Sequence, residues 1–120
     1  MSIQDEIISE VASEIFRILI QLPVPEVGSM DSSIIVDRDR NLIVDPGMAH
    51  PACYKILEKT IEDLGLDLEK TDFSITHHHL DHFSSVPRFL GNNSHIYISK
   101  SEAEFIERIA SGEAETETAV

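Results

Sequence analysis

The sequence has 120 residues, enough for one domain with a hydrophobic core, and 42% of them are hydrophobic, as in folded rather than disordered chains. The 22 acidic and 9 basic residues give a net charge of −13, which argues against a nucleic-acid partner because few side chains neutralise phosphates. A single cysteine excludes an internal disulfide, and no apolar segment approaches the ~20 residues that span a bilayer. The acidic N-terminus lacks an apolar signal core, so we expect a soluble, cytoplasmic protein without membrane contact.

The first predicted element lies within residues 3–22, where apolar residues recur at both helical and strand spacings. The alternation of Phe16, Ile18 and Ile20, followed by the proline-containing segment PVPEVG, favours a strand that ends in a loop. An amphipathic helix is the alternative.

A hairpin is predicted next. SSIIVD and NLIVD have the composition of two short strands, and the charged segment DRDRN between them is typical of a solvated turn. The segment DPG at residues 45–47 ends the second strand, because proline and glycine do not continue a strand well.

The hydrophobic period then changes from that of a strand to that of a helix. Pro51 suits a first helical position and Gly65 suits the end. His50 is predicted to cap the helix, with a position in a pocket wall as the alternative. Cys53 is predicted to be a core residue rather than a nucleophile, because no histidine accompanies it. The apolar face consists of Cys53, Ile56, Leu57, Ile61 and Leu64.

The remaining elements are a strand at DFSIT, a short helix starting at Ser84 or Ser85 and stopped by Gly91, a strand at HIYIS, and a final helix at EAEFIERIA. Ser99 and Glu102 form a capping pattern before that last helix. His95 is predicted to be structural or exposed. The predicted order is β-β-β-α-β-α-β-α, with residues 1–110 in one domain and residues 111–120 as an acidic tail.

The segment SITHHHLDHFSS contains four of the six histidines within six residues. In an extended chain that leaves a strand, His77 and His79 point to the same side, Asp81 continues that alternation, and His82 joins them as the chain turns. Imidazole and carboxylate are ligands for zinc and other first-row metals. A metal held in this way lowers the pKa of bound water toward ~7, which makes hydroxide available at neutral pH.

The H-x-H-x-D-H pattern of these residues resembles the signature of the metallo-β-lactamase fold superfamily of hydrolases, and NLIVDPG resembles its strand that ends in an aspartate before a glycine turn. The resemblance implies the α+β class, as an αββα sandwich with one or two metal ions at the edge of its sheets. It implies that His77 and His79 ligate the first metal and Asp81 and His82 the second, with Asp45 behind them in the second shell.

The activity implied by the resemblance is hydrolysis of a small-molecule ester, thioester, lactone or similar bond by a metal-bound hydroxide. The resemblance implies a catalytic role for Asp81, which would orient this nucleophile as well as bind metal. Zinc is the expected metal, with iron or manganese as alternatives.

Two departures from the family pattern matter. Ser84 and Ser85 stand where the family commonly has two glycines, and the family's remaining ligands come from a C-terminal half that this sequence does not include. We therefore expect the N-terminal half of a sandwich, with either the missing half or a homodimer covering its sheet. Two other interpretations stay open: a non-catalytic metal-binding module, and an interaction domain with a degenerate site.

Overall fold

The computed structural model describes residues 8–21, 28–76 and 83–111. These residues form a mixed sheet in the order β1-β2-β3-β4-β5-β6, antiparallel from β1 to β4 and parallel from β4 to β6. The elements are β1 (Ile8–Ala12), β2 (Ile15–Gln21), β3 (Ser29–Ile35), β4 (Asn41–Val44), α1 (Pro51–Leu64), a 3-10 turn (Leu68–Lys70), β5 (Thr71–Ile75), α2 (Val86–Phe89), β6 (Ile96–Ile98) and α3 (Lys100–Ser111). The predicted α+β class is confirmed. Within these ranges, no helix has the length and apolarity needed to cross a membrane.

The N-terminal region differs from its prediction by one strand. Residues 8–21 form a hairpin, in which β1 pairs with β2 across a turn at Glu14, whose φ is 62°. The helical alternative is therefore wrong for these residues. Periodicity did not indicate β1 because most of its side chains face solvent, and Val11, for example, is 61% exposed.

The core lies on the face of the sheet that α1 covers. Ile18, Ile20 and Ile34 are fully buried on this face, as are the central Ile43 and Phe73. The helix contributes Cys53, Leu57 and Ile61 to the same cluster. Burial raises the pKa of the Cys53 thiol, which keeps it neutral and confirms its prediction as a core residue.

The ends of α1 follow the sequence signals. His50 Nδ1 accepts a hydrogen bond from the Ala52 N–H at 3.1 Å, so the predicted cap is confirmed. Gly65 ends the helix in the left-handed conformation, with φ of 67°, which glycine adopts without steric cost. At the start of α3, Ser99 Oγ accepts a hydrogen bond from the Glu102 N–H at 3.3 Å, as the capping pattern predicts.

Gly91 has a role other than the predicted helix stop. Helix α2 ends at Phe89 and is capped at Leu90, so Gly91 lies beyond it. A Cβ added at Gly91 would lie only 2.7 Å from the carbonyl oxygen of Leu68. Glycine is needed here because the chain before β6 passes directly against the turn before β5.

A charged cluster fixes the amino-terminal end of β5. Arg40 donates two hydrogen bonds to the carboxylate of Asp72, from Nε at 2.9 Å and from Nη2 at 2.6 Å, and a third to the carbonyl oxygen of Asn93 at 2.9 Å. The His95 N–H also donates to Asp72 Oδ1 at 2.9 Å, and its ring Nδ1 lies 3.2 Å from the same oxygen. His95 is therefore structural, as predicted, whereas Arg40 is not simply part of a solvated turn.

The Arg40 guanidinium, together with the His95 N–H, holds the pKa of Asp72 well below its usual range. The contribution of the ionised carboxylate to stability is therefore complete above the unfolded-state pKa of about 3.9 and is lost as the pH falls toward the lower folded-state pKa. We expect Asp72→Asn to lower the free energy of unfolding at pH 7, and the difference from the parent to shrink as the pH falls below about 4. Urea unfolding followed by circular dichroism between pH 7 and about pH 2.5 measures this difference.

Asp31→Asn is the matched control, because Asp31 pairs with Arg17 at 3.0 Å but both side chains are about half exposed. We expect this variant to lose less than about 1 kcal/mol. The free energy of unfolding of the parent should exceed that of Asp72→Asn by less and less as the pH falls. If this difference instead stays constant down to about pH 2.5, the ionised carboxylate does not stabilise the fold.

Candidate functional site

The four predicted metal ligands, His77, His79, Asp81 and His82, lie outside the described residues. The structure does describe the residues on both sides of this segment, which we call the ligand segment (residues 77–82). Thr76 precedes it, just after β5, and Phe83 follows it before α2. Within the described ranges, no group of three or more histidine, cysteine, aspartate or glutamate side chains is arranged to hold a metal ion.

Asp45 anchors the start of the ligand segment. Its carboxylate, 7% exposed, accepts a hydrogen bond from the Thr76 N–H at 2.8 Å and another from the Thr76 hydroxyl. Its own N–H donates to the carbonyl oxygen of Ser74 at 2.9 Å, which continues the pairing of β4 with β5. Asp45 therefore fixes the residue immediately before His77. That Asp45 lies behind the ligands of a bound metal stays a prediction.

The backbone around Asp45 has an uncommon conformation. Asp45 has φ of 51°, in the left-handed region that aspartate tolerates better than most residues, and Gly47 has φ of 105°. Asp45, Pro46 and Gly47 are all buried. A Cβ added at Gly47 would lie 3.3 Å from Ile20, so the turn packs directly onto the sheet core.

The same turn also holds the far end of the ligand segment. The Ala49 N–H donates a hydrogen bond to Ser84 Oγ at 2.7 Å, and the Ser85 N–H donates to the carbonyl oxygen of Gly47 at 3.0 Å. Residues 45–49, which we call the anchor turn, therefore contact both flanks of the segment. The sequence indicated Ser84 and Ser85 as a helix start and as departures from a glycine pair. It did not indicate these contacts, because their partners lie far earlier in the chain.

Ser85 does not cap α2 through its side chain. It occupies the N-cap position, but its hydroxyl makes no capping hydrogen bond. Its Oγ is fully buried and has no hydrogen-bond partner among the described residues. The backbone of Ser85, rather than its side chain, contributes to the contact with the anchor turn.

Helix α2 is held in place by α1. Arg88 lies over the ring of Tyr54, with 4.9 Å from its guanidinium carbon to the ring centroid, and pairs with Glu58 at 2.8 Å. The rings of Tyr54 and Phe89 meet edge to face at 6.1 Å. These contacts fix the element into which the ligand segment leads.

An apolar cavity of ≈ 490 Å³ lies beside the flanks of the ligand segment. Ile75, from the end of β5, and Phe83, from the start of the α2 region, both line it. The other apolar lining comes from α2, β6 and α3 and includes Val86, Leu90, Ile98 and Ile106.

The family model of the metallo-beta-lactamase superfamily matches residues 26–112 of this chain. The match covers most of the sequence, and the chain belongs to this superfamily. Members of the superfamily usually bind metal ions. None of the curated proteins compared with the chain is significantly similar to it.

Solved structures share the fold. A beta-lactamase domain protein from Burkholderia ambifaria has a TM-score of 0.71 and 22% identity over 87% of this chain and 33% of its own. A metallo-beta-lactamase family protein from Thermus thermophilus has a TM-score of 0.67 and 18% identity over 90% of this chain and 41% of its own. The metallo-beta-lactamase GOB-18 from Elizabethkingia meningoseptica has a TM-score of 0.62 and 20% identity over 81% of this chain and 33% of its own. The chain thus spans between a third and two fifths of these proteins.

Replacing Asp45 tests the anchor at the start of the ligand segment. Asp45→Ala removes the acceptor of both Thr76 hydrogen bonds and leaves an alanine at φ of 51°, so we expect the free energy of unfolding to fall by about 1–3 kcal/mol. Asp45→Asn keeps an acceptor and tolerates the left-handed conformation, so it loses less. Urea unfolding measures the loss, and hydrogen exchange at the Thr76 amide locates it. Equal exchange at Thr76 in the parent and in Asp45→Ala would show that the carboxylate does not hold this residue.

Proposed function

We propose that this chain is the metal-binding part of a metal-dependent hydrolase. The observation that supports the proposal most is the anchor turn, which contacts the residues before and after a segment containing three adjacent histidines, an aspartate and a fourth histidine. Holding both flanks of such a segment restricts where its ligands can lie, which lowers the entropy cost of ordering them around an ion.

The donor set fits a transition metal. His77 and His79 are proposed as ligands of one ion and Asp81 and His82 as ligands of a second, with zinc as the expected metal and iron or manganese as alternatives. When bound, the metal supplies an acidified water as nucleophile and polarises the oxygen of the bond to be broken. Asp81 orients the nucleophile, and Asp45 holds the approach to His77 through Thr76.

The proposed substrate is a small ester, thioester or lactone. The net charge of −13 disfavours a polyanionic substrate such as nucleic acid. The apolar cavity beside Ile75 and Phe83 offers room for the hydrocarbon part of such a molecule. A cytoplasmic location agrees with the single, buried cysteine.

The proposed site needs more protein than this chain supplies. Two imidazoles leave the first ion short of the three protein ligands that are usual at catalytic zinc. One face of the sheet is also open, because Leu19 and Ile35 point away from α1 and are 36% and 38% exposed. We propose that a C-terminal half covers this face and supplies the remaining ligands, as the share of the related structures that this chain spans suggests.

Substituting one histidine of the ligand segment tests metal binding. We expect His79→Ala to lose at least one bound ion per chain relative to the parent. The substitution removes one of the two proposed ligands of the first ion, and His77 alone would hold that ion weakly. Elemental analysis and native mass spectrometry of protein purified without added metal measure the stoichiometry. His95→Ala is the matched control, since that histidine contacts Asp72 at the opposite end of β5.

The outcome also separates the rival functions. Equal metal content in His79→Ala and the parent would remove the ligand segment from the site. Metal loss in the variant, with no ester or thioester hydrolysis by the complete protein, would favour a non-catalytic metal-binding module. A parent that carries no metal would favour an interaction domain.

The mass of the native protein tests what covers the open face. We expect protein purified from its own source to be heavier than the 13.4 kDa of this chain and not to be a multiple of it. A species of twice that mass would assign the cover to a second copy, and Leu19→Asp should then return it to a monomer. A metal-free monomer of 13.4 kDa would contradict the proposal.

A further inference from the structure

We propose that the apolar cavity beside β6 is a binding site for an alkyl chain whose head group is uncharged or positively charged. The cavity, of ≈ 490 Å³, lies between α2 and α3 over the core face of β5 and β6. Binding of such an alkyl chain needs no metal ion. The inference rests on the proposed function only where it identifies the alkyl chain as the apolar part of the substrate.

The floor of the cavity continues the hydrophobic core of the sheet. Ile96 and Ile98 of β6 pair with Phe73 and Ile75 of β5, so these four side chains lie on the same face. Phe73 is fully buried, whereas its neighbour Ile96 is 44% exposed. The cover that buries β5 therefore stops short of β6, and apolar surface of the core faces into the cavity.

The walls of the cavity belong to elements with fixed positions. Helix α2 is held against α1 by Arg88, which lies 4.9 Å from the ring centroid of Tyr54. Leu90, just after this helix, lines the cavity and is 42% exposed, and Ala103 and Ile106 line it from α3. An apolar cavity of this size is typical of small-molecule sites, and walls that are already in place reduce the cost of binding.

The charge around the cavity disfavours an anionic ligand. Glu107 lines the cavity from α3, and no lysine, arginine or histidine lines it in the described part of the protein. The net charge of −13 acts in the same direction. A carboxylate head group would be repelled by Glu107, whereas an ester, an alcohol or an ammonium group would not. Alkyl esters and alkyl amines therefore fit this cavity better than fatty-acid anions.

The cavity also reaches the edge of the sheet where the anchor turn lies. Ile75 lines the cavity and directly precedes Thr76, the residue that Asp45 holds. One end of a bound alkyl chain therefore lies at the carboxyl end of β5. This is the edge at which hydrolysis is proposed, so the alkyl chain is the apolar part of an ester or thioester substrate.

The first test varies the length of the alkyl chain. Calorimetric titration of the complete protein, as purified, with butanol, hexanol and octanol gives the affinities. We expect one-to-one binding that strengthens about fourfold for each added methylene, the factor that corresponds to ~0.8 kcal/mol of burial, until the cavity is full. Methyl NMR should locate the bound alcohol at Ile75, Ile96 and Ile98.

The second test fills the cavity. Ala103→Leu adds about three carbon atoms where the ligand would lie, so we expect octanol to bind more than about tenfold more weakly. Ala52→Leu is the matched control, because it is the same substitution near the start of α1, at an exposed residue that does not line the cavity. This control should bind octanol as the parent does.

The third test varies the head group. We expect the parent to bind octylammonium at least about fivefold more tightly than octanoate at low ionic strength. Glu107→Gln should narrow this preference and leave the affinity for octanol unchanged. Glu104→Gln is the matched control, because it removes the same charge from a residue of α3 that pairs with Lys100 at 3.9 Å and does not line the cavity.

The outcomes separate this inference from the proposed function, since native mass spectrometry counts bound metal in the same samples. If octanol leaves the methyl signals of Ile96 and Ile98 unchanged, the rest of the protein or a second copy fills the cavity and the inference is overturned. Affinity that is independent of alkyl length, or equal weakening in Ala103→Leu and Ala52→Leu, would also overturn it. None of these results affects a parent that carries metal and hydrolyses esters. Octanol binding at this cavity by a metal-free parent would support the alkyl site and overturn the proposed hydrolase.

Discussion

The hydrogen bonds of the anchor turn are the interactions on which the arrangement of this molecule depends. The turn follows β4 and leads into α1, and through Asp45 and Ser84 it contacts both flanks of the ligand segment. Because β4 and β5 are parallel, their carboxyl ends lie at one edge of the sheet, where open α/β sheets usually place their sites. A left-handed aspartate followed by Pro46 and Gly47 makes the turn tight enough to stay at that edge.

The β4–β5 pair is fixed at both ends by a buried aspartate. At the carboxyl end, Asp45, just after β4, binds the residue after β5. At the amino end, Asp72 of β5 binds Arg40, just before β4, and His95, just before β6. In each case the carboxylate accepts hydrogen bonds from a backbone N–H and from a side chain, which offsets the cost of burying its charge. These contacts fix both ends of the two central strands.

The elements set by local signals could be predicted from the sequence, and the contacts between distant residues could not. Pro51 and Gly65 marked α1, and His50 and the DPG turn marked its approach, because each acts on its own backbone or on residues next to it in the chain. The ion pair of Arg40 with Asp72 joins residues 32 positions apart, and the Ala49–Ser84 hydrogen bond joins residues 35 positions apart. No periodicity indicates such partners. Strand β1 was missed for another reason: its side chains are exposed, so it lacks the alternation that identifies a strand.

The open face of the sheet constrains whatever covers it. This face carries the exposed apolar side chains of Leu19 and Ile35, but the pair of Arg17 with Asp31 lies among them on the same side of the strands. In water the pair contributes little, but a dry apolar cover would impose the cost of removing both charges from solvent. The cover must therefore bring hydrogen-bonding groups to Arg17 and Asp31 or leave them in contact with water. A surface of purely aliphatic side chains fits Leu19 and Ile35 and fails at the ion pair, so the complementary surface has to be amphipathic.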